Sequence, residues 1–267
     1  MKIIKKSKEI NLIIKNFKNT GFVPTMGSLH KGHESLIKKS KTENKFTFVS
    51  IFLNPKQFNN KKDLKKYPKK IRNDIKICKN LKVDYLFLPS FKEVFTWKTK
   101  NKKYPKINNL MEQKFRKGHF RGVLQVIEKL LDILPARKIY LGEKDYQQLM
   151  IIKNYINLNK INCKVIKCKT IRDKNGLALS SRNKLLSTQA LDKASNVIKF
   201  IRYLKKKKHN LDLIIKSTKK YLKDNEIKYD YIENINLDKF KIQNKITNKT
   251  RIFIAFYIKN IRLIDNF

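Results

Sequence analysis

Five short apolar runs, separated by helical patterns, constrain the fold of this chain more than any other feature. The most continuous is "FTFVSIFLN" at 46–54, which is typical of a strand buried on both faces of a sheet. The others are "GFVP" at 21–24, "VDYLFLP" at 83–89, "KIYLG" at 138–142 and "CKVIKCKT" at 163–170. Apolar residues between 123 and 134 recur at helical spacing. Strands alternating with amphipathic helices predict a parallel α/β sheet covered on both faces.

Polar segments follow four of these runs. They are "PTMG", "NPKQF", "GEKDYQQ" and "IRDKNGLALSSRN". In parallel sheets ligands bind beyond the carboxyl ends of the strands. We therefore expect the four segments to converge on one crevice.

The pattern changes beyond residue 170. Two amphipathic helices come first, and three strand-like runs, "IKYDYIENIN", "RIFIAFYI" and "IRLIDNF", follow with short turns between them. This order favours a small antiparallel sheet. The sequence thus predicts an α/β protein with two domains: a Rossmann-like parallel-sheet domain at 1–170 and a smaller α+β domain at 171–267.

The formal net charge of +43 raises the question of nucleic-acid binding, since a dense positive field attracts phosphate polymers. The lysines, however, are spread along the whole chain, and no aromatic RNA-binding signature or zinc-finger spacing is present. Drift of tolerant surface positions toward Lys would give the same composition. A nucleic-acid-binding protein stays open as an alternative, and our prediction is no nucleic-acid partner.

The cysteines and the lengths of the apolar runs indicate the cellular compartment of the protein. Cys78, Cys163 and Cys168 form no CxxC pair and are typical of small core residues in a reducing compartment. No apolar run approaches the roughly 18 to 20 residues of a membrane span. We expect a cytoplasmic protein with no membrane partner.

The segment "VPTMGSLHKGH" at 23–33 holds two of the four histidines. His30 and His33 are three residues apart, so at the first turn of a helix they share one face beside unpaired backbone N–H groups. This arrangement indicates an anion site, and Gly27 and Gly32 would let the backbone approach a phosphate. A Gly-rich turn with two exposed histidines is the alternative. No G-x4-G-K-[ST] segment occurs, which excludes a P-loop.

Two further segments carry phosphate-binding chemistry. In "GLALSSRN" at 176–183, hydroxyls precede Arg182, whose guanidinium can make a bidentate contact, although a capped helix start is the alternative. In "GEKDYQQ" at 142–148, Lys144 could neutralise charge on a transferring phosphoryl group, with a solvated charge run as the alternative. No cluster has metal-ligand spacing, and our prediction is no protein-held metal.

Five motifs occur in order along the chain: "PTMGSLHKGH" at 24–33, "SIFLNPKQF" at 50–58, "RKGHFRGV" at 116–123, "GEKDYQQL" at 142–149 and "IRDKNGLALSSRN" at 171–183. A terminal "RLIDN" follows them. Together these segments resemble the pantothenate synthetase (pantoate–β-alanine ligase) family of the HxGH nucleotidyltransferase superfamily. The resemblance implies a Rossmann-like domain with a C-terminal lid domain, and a homodimer. It implies that ATP, pantoate and β-alanine give pantothenate, AMP and pyrophosphate through pantoyl adenylate, with Mg²⁺ held mainly by the ATP phosphates.

The resemblance also implies roles for individual residues. His33 would be the proton donor, with His30, Lys144 and Arg182 as the other catalytic residues. The implied ATP-binding residues are Met26, Gly27, Ser28, Leu29, His30, Lys31, Gly32, His33, Gly142, Glu143, Lys144, Asp145, Ile171, Leu179, Ser180, Ser181 and Arg182. The implied pantoate-binding residues are Gln57, Gln148, Asn54 and Arg116, and Gln57 would also bind β-alanine.

Some positions depart from the family pattern. Ser28 stands where Ala is more usual, and Asn175 stands where Asp is common. The segment at 93–109 looks shortened or drifted, so no role is carried over to it. Another nucleotidyltransferase of the same superfamily is the nearest rival, and it should lack the pair Gln57 and Gln148.

Overall fold

A computed structural model describes residues 1–59, 61–99 and 102–267. The chain divides into two compact units. The first comprises Met1–Ile107 and Arg116–Thr170, and the second comprises Asn108–Phe115 and Ile171–Phe267. No helix in these described ranges is long and apolar enough to cross a membrane.

The first unit is built on a parallel sheet. Its strands are β1 (Lys2–Ile4), β2 (Thr20–Thr25), β3 (Phe46–Ile51), β4 (Tyr85–Phe87), β5 (Lys138–Gly142) and β6 (Lys164–Cys168), in the order β1-β4-β3-β2-β5-β6. Phe22 and Phe48 lie opposite each other in the β2–β3 register, and both are fully buried. The near-continuous apolar composition of these strands follows from their central position.

Helices flank this sheet. They are α1 (Ser7–Ile14), α2 (Lys31–Glu43), α3 (Lys61–Lys66), α4 (Ile71–Asn80), α5 (Phe91–Phe95), α7 (His119–Ile133) and α8 (Tyr146–Leu158). The apolar stripe of α7 packs into the main core with the sheet and α8. The helix begins four residues before the stripe predicted at 123, because Gly118, at φ 81°, sets the chain direction into it.

Strand β1 was not predicted. Its three residues lie in a segment rich in lysine, yet Lys2, Ile3 and Ile4 pair with β4 and extend the sheet. Only Ile4 of the three is buried, at 1% exposure. A short edge strand with one buried side chain leaves no periodicity to detect.

The second unit holds an antiparallel sheet. Its strands are β7 (Tyr229–Asn236), β8 (Lys241–Ile242), β9 (Thr250–Ile258) and β10 (Ile261–Asn266), in the order β10-β9-β7-β8. Its helices are α6 (Met111–Phe115), α9 (Thr188–Lys206) and α10 (Leu211–Asp224). The parallel sheet with flanking helices and the separate antiparallel sheet confirm the predicted fold class.

Helix α6 lies in the segment Asn108–Phe115, which belongs to the second unit although the chain on either side of that segment belongs to the first. Glu112, 6% exposed, accepts two hydrogen bonds from the Arg262 guanidinium, at 2.7 and 2.9 Å. Tyr231 donates to the same carboxylate at 2.8 Å. A buried carboxylate is tolerated when it is paired and hydrogen-bonded, and these contacts explain why the segment docks there.

Candidate active site

The loop between β2 and α2 carries the first histidine of the HKGH segment. Gly27 and Ser28 adopt positive φ angles of 80° and 53°, which turn the chain sharply after Met26. The Thr25 hydroxyl accepts from the Gly27 N–H at 3.2 Å and donates to the Ser50 carbonyl at 2.8 Å. The loop is therefore tied to the end of the neighbouring strand β3.

A buried aspartate holds the next two residues of the loop. Asp74, in the first turn of α4, accepts from the N–H groups of Ser28 and Leu29, both at 2.8 Å. Its exposure is 1%. The two amides therefore face the protein's own carboxylate. The sequence analysis did not identify Asp74. The signal available for it was its spacing, because it lies four residues before Cys78 and therefore shares the inward face of α4 with that buried residue.

His30 is the N-cap residue of α2. Its Nδ1 accepts from the Gly32 N–H at 3.1 Å, so the proton of the neutral ring resides on Nε2, which is then a donor. The rings of His30 and His33 lie 4.1 Å apart between centroids. The structure thus brings the two predicted histidines together at a helix N-terminus, where the backbone dipole favours an anion.

Two amides follow β3. Gln57 is 8% exposed and donates from Nε2 to the Met26 sulfur at 2.7 Å, which joins this segment to the β2 loop. Asn54 is 1% exposed and donates to Gln57 Oε1 at 3.1 Å and to the Gly122 carbonyl at 3.0 Å. Asn54 therefore holds the Gln57 side chain in place. A direct contact between Asn54 and a substrate stays a prediction.

His119 and Arg116 hold the backbone of Gln57. The Gln57 carbonyl can only accept, so His119 Nδ1 donates to it, at 2.7 Å. The Arg116 guanidinium can only donate, and its Nη1 lies 3.1 Å from His119 Nε2, which accepts. These partners fix His119, 6% exposed, in the neutral Nδ1–H tautomer. The family resemblance implied a role for Arg116, and these contacts add His119.

The backbone at Gly122 lies against the segment that carries Gln57. A Cβ at position 122 would lie 2.5 Å from the Lys56 carbonyl carbon and 2.9 Å from the Gln57 nitrogen. Ordinary carbon–carbon contacts are about 3.5 to 4.0 Å. Only glycine allows α7 to approach this segment so closely.

The third group of predicted residues follows β5, which pairs with β2. Glu143, Lys144 and Asp145 form a short 3₁₀ helix directly after Gly142. The Lys144 ammonium lies 3.5 Å from Asp145 Oδ1, and its side chain is 17% exposed. Gln148, half-buried, lies in the first turn of α8. Because β5, β2 and β3 are neighbours in a parallel sheet, their three polar segments share one edge.

The remaining predicted residues lie in the second unit. The Leu179 N–H donates to the Ile171 carbonyl at 2.9 Å, and the Ser180 hydroxyl accepts from the Arg182 N–H at 3.2 Å at the start of a 3₁₀ helix, Ser181–Leu185. The motif is held by Arg172, which donates to both oxygens of Asp265, at 2.6 and 2.8 Å. Two predicted motifs, "IRDKNGLALSSRN" and "RLIDN", are thus joined by one ion pair, in which Asp265 is buried and Arg172 is partly buried.

The comparisons with known proteins agree with these motifs. A family model described as pantoate-beta-alanine ligase matches residues 2–267. The chain belongs to the pantoate–β-alanine ligase family. This match confirms the predicted resemblance and covers both units.

Relatives of this family are similar along nearly the whole chain. A pantothenate synthetase of Francisella tularensis subsp. mediasiatica is 44% identical over 259 residues, which cover 96% of this chain and 92% of that protein. One from Francisella philomiragia is 42% identical over 272 residues, covering 100% of this chain and 97% of that protein.

Solved structures of the pantoate–β-alanine ligase family share the fold. The pantothenate synthetase of Thermus thermophilus superposes with a TM-score of 0.92 at 30% identity, covering 100% of this chain and 99% of that one. A pantoate-beta-alanine ligase from Francisella tularensis, described as a complex with beta-gamma ATP and beta-alanine, gives 0.84 at 42% identity and covers 100% of this chain and 97% of that one.

Proposed function

We propose that this ligase joins pantoate to β-alanine at the expense of ATP, releasing pantothenate, AMP and pyrophosphate through a pantoyl-adenylate intermediate. The observation that carries the proposal is the edge of the parallel sheet where the His30–His33 pair and the Gln57 amide follow adjacent strands, in a chain that matches the family along 2–267. The complex of the Francisella relative with beta-gamma ATP and beta-alanine supports the same substrates here.

Each step follows from ordinary carboxylate chemistry. A carboxylate is a poor acyl donor, so a pantoate oxygen attacks the α-phosphorus of ATP and pyrophosphate leaves. The amine of β-alanine then attacks the acyl carbon of pantoyl adenylate, and AMP leaves with the oxygen that pantoate supplied. An amide bond forms and the mixed anhydride breaks.

The charge that grows on phosphate in the first step needs donors placed in advance. We assign this role to His33 as the proton donor, to the Nε2–H of His30, and to the ammonium of Lys144. Removing one donor of this kind typically costs about 10²–10³ in rate. We assign Met26, Gly27, Lys31, Gly32 and Gly142 to Asp145 to the remaining ATP contacts, and Ser28 and Leu29, whose amides bind Asp74, to the support of the loop.

We assign the neutral amides to pantoate. Gln57 and Gln148 can bind a hydroxy acid without adding charge beside the phosphates, and Gln57 would also lie near β-alanine. Asn54, Arg116 and His119 hold Gln57 in place through the contacts described above. We assign Ile171 and Leu179 to Arg182 to nucleotide binding as well, with Arg182 as a phosphate-binding residue.

Mg²⁺ is expected with ATP. The described residues contain no group of three or more His, Cys, Asp or Glu side chains that could hold a metal ion. We therefore infer that the ATP phosphates hold Mg²⁺, which would screen their charge. A homodimer and a cytoplasmic location are further parts of the proposal, the latter supported by three free, buried cysteines.

The proposal is tested by measuring pyrophosphate and AMP separately. We expect pyrophosphate release from ATP only when pantoate is present, and rapid AMP release only when β-alanine is added as well. The variant His33→Ala should lower pyrophosphate release by about 10². His209→Ala, in the turn between α9 and α10, is the matched control and should leave the rate unchanged.

The rivals predict other outcomes of the same assay. Another nucleotidyltransferase would release pyrophosphate with a different acceptor and would not need pantoate. A nucleic-acid-binding protein would bind polyanions in a salt-sensitive way without turnover. Failure of pantoate to support pyrophosphate release would overturn the proposed function.

A further inference from the structure

The carboxylate of Asp74 occupies the inner side of the histidine-bearing loop. Each of its oxygens accepts one backbone N–H, from Ser28 and from Leu29, both at 2.8 Å. Asp74 is 1% exposed and comes from α4, more than forty residues along the chain. Hydrogen bonds from N–H groups to an ionised carboxylate are roughly twice as strong as those between neutral groups.

The backbone of the loop is shaped to receive this carboxylate. Gly27 and Ser28 are consecutive residues at positive φ. Successive N–H groups in such a turn form a concavity that binds anions. Here the anion is part of the protein itself. A Cβ at Gly27 would lie 3.1 Å from Asp74 Oδ2, so the carboxylate also fills the space beside the glycine.

Ser28 shows that the loop conformation needs support. A residue with a side chain disfavours φ near 53° and keeps it only where its surroundings over-determine the backbone. Ser28 is fully buried. The Gly27 amide donates to the Thr25 hydroxyl, and the next two amides donate to Asp74, so the carboxylate holds the backbone at the residue with positive φ and at its successor.

The position of the loop sets the position of the histidines. Leu29 is directly bonded to His30, whose ring caps α2 through the Gly32 N–H at 3.1 Å. The His33 ring lies 4.1 Å from that of His30. A shift of the Ser28 and Leu29 amides is therefore passed to both rings within a few bonds.

We propose that Asp74 is a positioning residue, which fixes His30 and His33 for transfer of the adenylyl group by holding the amides of Ser28 and Leu29. The proposal rests on the proposed function. The carboxylate does not touch the reacting atoms. It acts through the loop, and both of its oxygens are needed, because an amide in its place would direct an NH₂ group at one of the two N–H donors.

The first test compares two carboxylates that both accept a backbone N–H. Asp74→Asn should lower kcat for pantoate-dependent pyrophosphate release at least tenfold at a temperature where circular dichroism shows the variant folded. Asp84 accepts from the Thr47 N–H at 2.8 Å near the start of β3, at the opposite edge of the sheet. Asp84→Asn should lower the melting temperature and leave kcat within twofold. Equal kcat in the two folded variants would overturn the proposal.

A rescue experiment separates positioning from a general loss of stability. Glycine adopts positive φ without strain, so Ser28→Gly in the Asp74→Asn background should recover at least threefold in kcat. A general loss of stability predicts no such recovery. Activity that stays at the level of Asp74→Asn would contradict the proposed role of the loop.

A measurement on the wild-type protein covers the case in which Asp74→Asn does not fold. Hydrogen exchange followed by NMR should show the Ser28 and Leu29 amides strongly protected, and exchange at the rate of an exposed loop would overturn the proposal. If wild-type protein releases no pyrophosphate with pantoate, the proposed function fails instead. The exchange rates then still report whether Asp74 holds the loop.

Discussion

Substituting Gly122 by alanine tests how closely the pantoate-binding segment is fitted to the helix beneath it. The new Cβ would lie 2.5 Å from the Lys56 carbonyl carbon, and closer still to its oxygen. Ordinary carbon contacts are about 3.5 to 4.0 Å, so the backbone carrying Gln57 must retreat by roughly 1 Å. The Asn54 hydrogen bond to the Gly122 carbonyl would be strained by the same movement.

The expected effect is a loss of rate larger than the loss of stability. A misplacement of about 1 Å can cost about 10² in rate, and overpacking typically costs about 1–3 kcal/mol of unfolding free energy. We expect kcat/KM for pantoate, measured by pyrophosphate release, to fall about 10², with ATP affinity within about twofold, since Gln57 is assigned to pantoate.

Gly118→Ala is the matched control. Gly118 is exposed at φ 81° with no atom within 4 Å of a built Cβ, so alanine there strains the backbone by about 1–2 kcal/mol without pushing on the Gln57 segment. Its kcat/KM for pantoate should stay near that of the wild type. A folded Gly122→Ala variant with unchanged kcat/KM would refute the reasoning.

Three further predictions concern the His30 cap of α2, the Arg172–Asp265 ion pair and the buried thiols. Asn is a strong N-cap residue, so His30→Asn should change the unfolding free energy by less than about 0.5 kcal/mol in urea titrations while kcat falls about 10²; unchanged kcat would remove His30 from the mechanism. Asp265→Asn leaves the Arg172 guanidinium without its partner carboxylate and should cost about 3 kcal/mol, seen as a lower urea midpoint. Asp224→Asn, which breaks an exposed pair with Lys220, should cost less than about 1 kcal/mol, and equal effects of the two would contradict the argument. Burial raises the pKa of Cys78 and of Cys163 to about 12, so a thiol reagent at about pH 8 should label native protein far more slowly than protein in urea. Because unfolded thiols ionise near pH 9 while the folded ones stay protonated, stability should also fall as the pH rises above about 9, and rapid native labelling would contradict this burial.

The parallel sheet and its functional edge were predictable because the apolar runs and the motifs are local in sequence. The segment at 138–142 is a strand with the predicted bounds. The predicted strand at 46–54 ends earlier, at Ile51, because Asn54 caps a 3₁₀ helix that begins at Pro55. Local patterns thus give the elements, and side-chain hydrogen bonds decide where they end.

The supports of the site were not predictable, because they depend on contacts between distant parts of the chain. Asp74 binds amides 45 and 46 positions away, and no periodic pattern encodes such a contact. The His119 ring holds the Gln57 carbonyl, 62 positions away in the sequence. Helix α6 docks on the second unit through Glu112 and Arg262, which are 150 residues apart.

The fate of one carboxylate oxygen of pantoate tests the central claim most directly. With pantoate labelled by ¹⁸O in its carboxylate, and with ATP and β-alanine present, the proposed mechanism transfers one label to AMP and leaves pyrophosphate unlabelled. Mass spectrometry of the products measures both. Label in AMP would confirm pantoyl adenylate as the intermediate. Unlabelled AMP, or ADP formed together with labelled inorganic phosphate, would contradict the mechanism.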